Sequence, residues 1–250
     1  MNIEFFSHEQ QDEFVYNLFD GKTNGTFIDL ACAHPITGNN TYTLEKYCGW
    51  TGWCFDLVDV ENRDQWSSKR QTKFHQMDAT SAEFAVFLTN NIPHDTVIDY
   101  ISLDIDGASM QALDRIILGG VKFKAMTFEH ESFKDVYLRD ASRATLEGMG
   151  MVRLFEDVVI PQVLNYYPGQ TQIFEDWWIN PKYFESELLS IKTSKQDFKH
   201  NVEVLKQYKS LPYVGTHACS ILWPNEYRIF DSAYQEAEYK EKFRKYYQEN

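Results

Sequence analysis

The stretch from Thr26 to Asp56 constrains the fold more than any other part of this 250-residue chain. Its parts, in order, are an apolar run over 27–31, a turn of small residues containing Pro35 and Gly38, a helical pattern over 41–47, and a second apolar run over 52–55 that ends on Asp56. This order is typical of the opening unit of a nucleotide-type α/β fold. A helix start offers unpaired N–H groups, and an acid after the second strand can accept both hydroxyls of a ribose. The unit favours a nucleoside-type ligand, although the glycine-rich dinucleotide pattern is missing.

The remainder of the first 180 residues alternates between strand and helix patterns. Further strands are predicted at 73–77, 99–107, 125–128, 151–160 and 172–178, with helices over 62–70, 82–90, 108–118 and 136–147. An N-terminal helix is predicted within 4–19, with Ser7 as its N-cap. The last two strands form a hairpin-like finish, so the sequence predicts an α/β fold with a seven-stranded sheet and one reversed strand.

The pattern changes from Pro181 onward. The predicted elements are a polar segment over 192–209 that is helical or loose, an extra strand over 214–223, and a charged helix over 233–247. We therefore divide the chain into a core over 1–180 and a C-terminal appendage over 181–250, which could be a lid, a wall of an acceptor site or an oligomer contact. The aromatic residues 177, 178, 183 and 184 could form such a wall, and core packing is the alternative.

Composition excludes several classes of partner. The formal net charge is −13 at pH 7, which argues against sequence-independent nucleic-acid binding and against an anionic membrane surface. The four cysteines show no metal-ligand spacing, so buried free thiols are expected. The start resembles no signal peptide, and no apolar run reaches 18 residues, so we expect a cytoplasmic protein. A homo-oligomer remains open.

Acidic residues follow several of the predicted strands. Asp78 precedes Ala79, a pair that suits a flat ring lying against the backbone while the carboxylate accepts from an exocyclic amine; a helix N-cap is the alternative. Asp104 and Asp106 end the fourth strand, and by a period of two they should point to the same side. Carboxylates at a buried edge are costly unless they are paired, ligated or functional. The fifth strand ends in Glu129, His130 and Glu131 at the same edge.

Several segments together resemble the FkbM-type S-adenosylmethionine (SAM)-dependent methyltransferases. They are SHEQQDEF, FIDLACAHPITGNNTYTLEKYCGWTGWCFD, IDYISLDIDGAS, FEHE and FEDWW, which cover about residues 5–180 in the family's order. The most specific part combines Asn40-Thr41 with Leu44-Glu45-Lys46, Gly49-Trp50 and Gly52. The resemblance implies a Rossmann-like, seven-stranded class I methyltransferase sheet, in agreement with the plan above.

The resemblance also implies a cofactor site for SAM. Its residues would be Asp29 and Ala31 in the first SAM motif, Asn40 and Thr41 beside it, Asp56 at the ribose, Asp78 and Ala79 at the adenine, and Asp104 in the acid-x-acid-glycine segment. The family usually has glycine at Ala31 and glutamate at Asp56 and Asp106. Alanine still allows close approach if its φ is negative, and the shorter Asp56 would reach the ribose less directly.

The implied reaction is O-methylation of a sugar or glycan hydroxyl by in-line transfer. Asp104, Asp106 and His130 are the catalytic candidates. Metal-dependent sugar O-methyltransferases look similar here, and by that similarity Asp104, Glu129 and His130 would hold Mg²⁺ or Mn²⁺ while Asp106 acts as base. In a metal-free alternative His130 is the base. Two other classes remain: a non-catalytic binding or scaffold protein on the same fold, and a nicotinamide-dependent oxidoreductase.

Overall fold

A computed structural model describes residues 3–57, 63–160, 171–210 and 215–217. Its strands are β1 (Ile3–Phe5), β2 (Thr26–Leu30), β3 (Thr51–Asp56), β4 (Phe74–Gln76), β5 (Val97–Leu103), β6 (Lys122–Glu129), β7 (Val152–Ile160), β8 (Gln172–Ile179), β9 (Thr193–Ser194) and β10 (Gly215–His217). Its α-helices are α1 (Gln11–Leu18), α2 (Tyr42–Cys48), α3 (Arg63–Lys69), α4 (Ala82–Asn91), α5 (Ser109–Leu118), α6 (Val136–Gly148) and α7 (Phe198–Lys209). No helix in these ranges is long and apolar enough to cross a membrane.

The main sheet has the order β4-β3-β2-β5-β6-β8-β7-β9, with β8 antiparallel to both of its neighbours. Its first seven strands confirm the predicted Rossmann-like α/β sheet with one reversed strand. The eighth, β9, pairs with β7 over only two residues, too few to leave a hydrophobic period in the sequence. From β2 the chain winds outward through β3 to β4, and then returns to β5 on the other side of β2. That reversal opens a crevice at the carboxyl ends of β2 and β5.

The two core layers lie on opposite faces of this sheet. Trp177 and Trp178 are consecutive residues of β8, so they enter different layers. Both are fully buried, and the Trp177 ring stacks on Phe14 with 4.5 Å between the ring centroids. Core packing, the alternative in the sequence analysis, is therefore the observed arrangement of this pair. Cys32, Cys48 and Cys54 are buried free thiols, as expected, while Cys219 lies outside the described residues.

The N-terminal segment differs from its prediction. The predicted cap Ser7 is not at a helix start, because α1 begins at Gln11 after Gln10 in a left-handed conformation. The carboxylate of Asp12 accepts hydrogen bonds from the Ser7 hydroxyl at 2.5 Å and the Phe6 N–H at 2.7 Å. These bonds hold residues 6–10 as a bend between β1 and α1, so only the second half of the predicted helix forms.

Part of the segment assigned to the appendage packs into the core. The side chains of Leu188, Phe198, Val202 and Leu205 are buried in the same cluster as Phe14. The strand β10, within the extra strand predicted over 214–223, pairs in parallel with β1. The predicted helix over 233–247 and the connection over 161–170 lie outside the described residues. The functional boundary between 1–180 and 181–250 stays a prediction.

Candidate functional site

The loop between β2 and α2 forms one wall of the crevice. Ala31 has φ +60°, Ala33 +43° and Gly38 +71°, so the backbone turns three times through the left-handed region. The Cys32 N–H donates to the Phe55 carbonyl at 3.1 Å, which keeps the first turn against β3. Close approach at Ala31 was expected to require a negative φ, and this expectation is wrong. The alanine occupies the left-handed conformation that favours glycine.

A buried polar network fastens this loop from below. The Thr41 hydroxyl donates to Asp29 Oδ2 at 2.8 Å, and Asn40 Nδ2 donates to the Ser102 hydroxyl at 3.0 Å. Asp29 belongs to β2 and Ser102 to β5, so the network joins the two strands at which the sheet reverses direction. Burial raises the pKa of Asp29 to about 6. The structure places these predicted cofactor residues together beneath the crevice.

Arg70, which the sequence analysis missed, holds the same loop from the side. Its guanidinium donates to Glu45 Oε2 at 2.9 Å, to Asn39 Oδ1 at 2.9 Å and to the Pro35 carbonyl at 3.0 Å. The side chain is completely buried, with its charged plane over Trp66. An arginine in the polar run SSKRQTK gives no signal of burial, because nothing there has an apolar period.

Asp56 and Asp78 lie at the ends of adjacent strands, as predicted. Asp56 closes β3 and its Oδ2 accepts from the Ala33 N–H at 3.0 Å. Asp78 follows β4, and its Oδ1 accepts from the Thr80 hydroxyl at 2.7 Å and from the Thr80 N–H at 2.8 Å; both bonds lower the pKa of Asp78. The N-cap of α4 is Ser81, whose hydroxyl accepts from the Phe84 N–H, so the alternative reading of Asp78 as a cap is wrong. Its neighbour Ala79 is buried.

The bend over residues 6–10 lies against the loop between β2 and α2. The Gly38 N–H donates to the Phe6 carbonyl at 2.8 Å, and a Cβ on Gly38 would come within 2.7 Å of the His8 ring. Glycine is therefore required at this contact. Glu9 in the same bend faces Asp104, and burial, with the charge of Asp104 adding, raises the pKa of Glu9 to about 8. Sequence reasoning missed Glu9 because this bend was assigned to a helix.

The acids after β5 are arranged differently from the prediction. β5 ends at Leu103, and Asp106 opens a short 3-10 helix with φ +48°. Asp104 and Asp106 are therefore not alternate residues of one strand, and the same-side argument does not hold. Asp104 instead hydrogen-bonds Glu129, while the Asp106 N–H donates to Glu129 Oε2 at 3.2 Å. Burial raises the pKa of both Asp104 and Glu129.

His130 does not join these acids. Its Nε2 lies 3.6 Å from Asp176 Oδ1, in a buried network where Arg143 binds both oxygens of Asp176 and also Asp157. Arg143 holds the pKa of Asp176 well below its usual range, although burial opposes it. The predicted set of Asp104, Glu129 and His130 therefore does not converge on one point, and it does not fit Mg²⁺ or Mn²⁺. The carboxylates that do approach one another, within 4.8 Å, are those of Asp106, Glu129 and Glu131.

A cavity of about 720 Å³ lies beside the strand-end acids. It is bounded by α5 on one side and by residues 130–138 on the other, with Asp106 in its wall. The crevice and this cavity are thus neighbours, with Asp106 between Glu129 and the cavity. The arrangement can hold a polar ligand in the crevice and a second molecule in the cavity.

No protein-family model matches the sequence, and no curated protein matches it. Solved structures with a similar fold include P. horikoshii TYW2 in complex with MeSAdo, at 11% identity over 70% of this chain and 64% of that chain, with a TM-score of 0.44. Human methyltransferase-like protein 13 in complex with SAH has 11% identity, coverage of 82% and 94%, and a TM-score of 0.44. The mitomycin 7-O-methyltransferase MmcR has 15% identity, coverage of 68% and 53%, and a TM-score of 0.37. This chain spans less than two thirds of the TYW2 structure, and at these identities the likeness concerns the fold alone.

Proposed function

We propose that this protein is a SAM-dependent methyltransferase that binds its cofactor in the crevice between the β2 and β5 ends. The observation that carries the proposal is the position of three acids, Asp56, Asp78 and Asp104, at or just beyond the carboxyl ends of β3, β4 and β5, on the side of the sheet where the reversal between β2 and β5 opens. Ligands of open α/β sheets bind at such reversals. The resemblance to the FkbM-type family supports the same cofactor.

Each acid suits one part of SAM. The Asp56 carboxylate would accept both ribose hydroxyls, and Asp78 would accept from the adenine amine while the ring lies against Ala79. Asp104 and Glu9 would face the ammonium and the sulfonium, whose positive charges relieve the repulsion between the two carboxylates. NAD is a poor alternative, because its two phosphates would meet these acids and the segments 31–33, 78–80 and 104–106 contain no lysine or arginine.

We propose that the acceptor is a hydroxyl, as on a sugar or glycan, and that Asp106 is the base. Bound SAM supplies a methyl group on a sulfonium, and the bonding pair of the broken C–S bond goes to sulfur, leaving S-adenosylhomocysteine. The acceptor oxygen bonds to the methyl carbon while the Asp106 carboxylate takes its proton. Asp106 is exposed and lines the cavity, whereas His130 is only 1% exposed and faces Asp176, so His130 is the second candidate.

Calorimetry with S-adenosylhomocysteine, NAD and buffer alone tests the cofactor. We expect S-adenosylhomocysteine to bind with a micromolar Kd, or roughly −8 kcal/mol, and NAD to give no heat beyond dilution. Tight binding of NAD with no response to S-adenosylhomocysteine would contradict the proposal. Binding of S-adenosylhomocysteine without methyl transfer to any hydroxyl acceptor would favour the scaffold alternative. The oligomeric state and the cytoplasmic location stay predictions.

A further inference from the structure

The lining of the cavity between α5 and residues 130–138 has an excess of negative charge. It contains four carboxylates and one ammonium, contributed by Asp106, Asp114, Glu131, Asp135 and Lys134. Lys134 lies 2.5 Å from Glu131, so its charge is already matched. The Asp135 carboxylate accepts from the Tyr137 N–H at 3.0 Å as the N-cap of α6. Asp106 and Asp114 have no lysine or arginine partner within the described ranges, and both are exposed.

Other groups in the same wall also favour a cation. Tyr137, at the start of α6, lines the cavity with 69% of its surface exposed, and the face of an aromatic ring attracts an ammonium group. Met110 and Asp114 are four residues apart on α5, so they lie on one face of that helix.

We infer that the cavity takes a small amine-bearing polyol, such as an amino sugar, whose ammonium group lies against Asp114 and Tyr137 while a hydroxyl reaches Asp106. This inference rests on the methyl transfer proposed above, and it narrows the acceptor to a cationic class. A phosphorylated sugar would place its charge beside Asp106 and Asp114, and like charges at close range repel.

Three pyranoses that differ in charge test the inference: D-glucosamine, D-glucose and D-glucose 6-phosphate. Their binding to the protein saturated with S-adenosylhomocysteine is compared by saturation-transfer NMR at neutral pH. We expect glucosamine to bind best and glucose 6-phosphate worst. Asp114→Asn should weaken glucosamine binding about twofold to fivefold, the range for an exposed ion pair, and leave glucose unchanged.

Asp95→Asn is the matched control. Asp95 is an exposed aspartate just before β5, so it lies at the amino ends of the strands, away from the strand-end acids. This variant should change none of the three affinities. If glucose 6-phosphate binds best, if the three sugars bind equally, or if none gives a signal, the inference is wrong. Calorimetry of S-adenosylhomocysteine on the same samples separates the two proposals. If S-adenosylhomocysteine binds normally but the three sugars do not bind in the expected order, only this inference is overturned. If S-adenosylhomocysteine does not bind, the proposed function is overturned.

Discussion

Arg70 and Glu45 form a buried ion pair, with 2.9 Å between Nε and Oε2, that joins the residue after α3 to the middle of α2. The same guanidinium holds Asn39 and the Pro35 carbonyl, so one side chain fixes both ends of the segment 35–45. The loop that forms the crevice wall thus depends on a residue outside every motif.

Arg70→Met should destabilise the protein by about 3–5 kcal/mol, because it leaves the Glu45 carboxylate buried without its partner. Urea unfolding measures the change. Lys46→Met is the control, since Lys46 and Glu4 form a half-exposed pair 3.6 Å apart, and such pairs contribute about 0–1 kcal/mol. Equal losses of stability in the two variants would show that the buried Arg70 pair contributes no more than the half-exposed Lys46 pair.

Ala31→Gly should stabilise the protein by about 0.5–1 kcal/mol. The left-handed conformation costs an L-residue roughly 1–2 kcal/mol, while the extra chain entropy of glycine costs about 0.5–1 kcal/mol. Ala85→Gly, in the interior of α4, should instead lose about 1 kcal/mol. Thermal unfolding of both variants compares them. A loss at position 31 as large as that at position 85 would contradict the φ of +60°.

Asp56→Ala should weaken binding of S-adenosylhomocysteine by about 1.5–3 kcal/mol, the range for hydrogen bonds to a charged group. Calorimetry measures the change, and Asp95→Ala is the control, because Asp95 lies at the amino ends of the strands. Asp56→Glu, which introduces the residue usual in the FkbM-type methyltransferases that the sequence resembles, should bind at least as well as the wild type. Unchanged affinity in Asp56→Ala would remove the ribose contact from the proposal.

Stability should fall as the pH rises from about 6.5 to about 8. Folded Glu9, with its pKa raised to about 8, keeps its proton across this range, whereas the unfolded chain loses it near its ordinary value of about 4.3. The unfolded state then binds fewer protons, so the free energy of unfolding decreases with pH. Asp29 acts in the same direction up to about pH 6, but burial lowers the pKa of His8 and of His34 to about 4, and these two groups oppose it below about pH 6.5.

Glu9→Gln should flatten this slope and raise the stability at about pH 8 above that of the wild type. Urea unfolding at several pH values measures it. Glu83→Gln, which removes an exposed carboxylate from α4, should keep the slope. The lowered pKa of Asp176 affects stability in a different pH range. Its contribution to the free energy of unfolding is lost only in strong acid, as the pH falls below the ordinary aspartate value of about 3.9. An identical slope in Glu9→Gln would assign the pH dependence to other groups.

Asp106→Asn should keep the affinity for S-adenosylhomocysteine and lower kcat by about 10²–10⁴, the usual contribution of a general base. Steady-state transfer to an accepted hydroxyl compound provides kcat, and calorimetry provides the affinity. Asp95→Asn should leave both unchanged. Full turnover in Asp106→Asn, together with a large loss in His130→Asn, would move the base to His130.

The sequence predicted the sheet well because each buried strand leaves an apolar run of its own. It could not predict the turns, since the left-handed φ at Ala31 and Asp106 comes from tertiary contacts rather than from the residue types. β9 is too short to have a pattern, and residues 6–10 are shaped by Asp12, which looks like an ordinary helical acid in the sequence.

The metal set was wrong for a reason that the sequence already contained. Glu129 ends β6 and His130 comes next, and successive residues of a strand point to opposite faces. Glu129 therefore meets Asp104, while His130 turns towards Asp176 on β8. The period of two thus separates this pair.

The pairing of β1 with β10 has a consequence for the order in which the protein is assembled. Ile3 lies opposite Gly215, so β1 can pair with β10 only after more than 200 further residues have been synthesised. Residues 6–10, which follow β1 and contact the crevice loop at Gly38, are anchored at one end by this late contact. Closing so long a loop is slow compared with pairing neighbouring strands. We therefore expect a growing chain to form its main sheet before residues 6–10 are anchored.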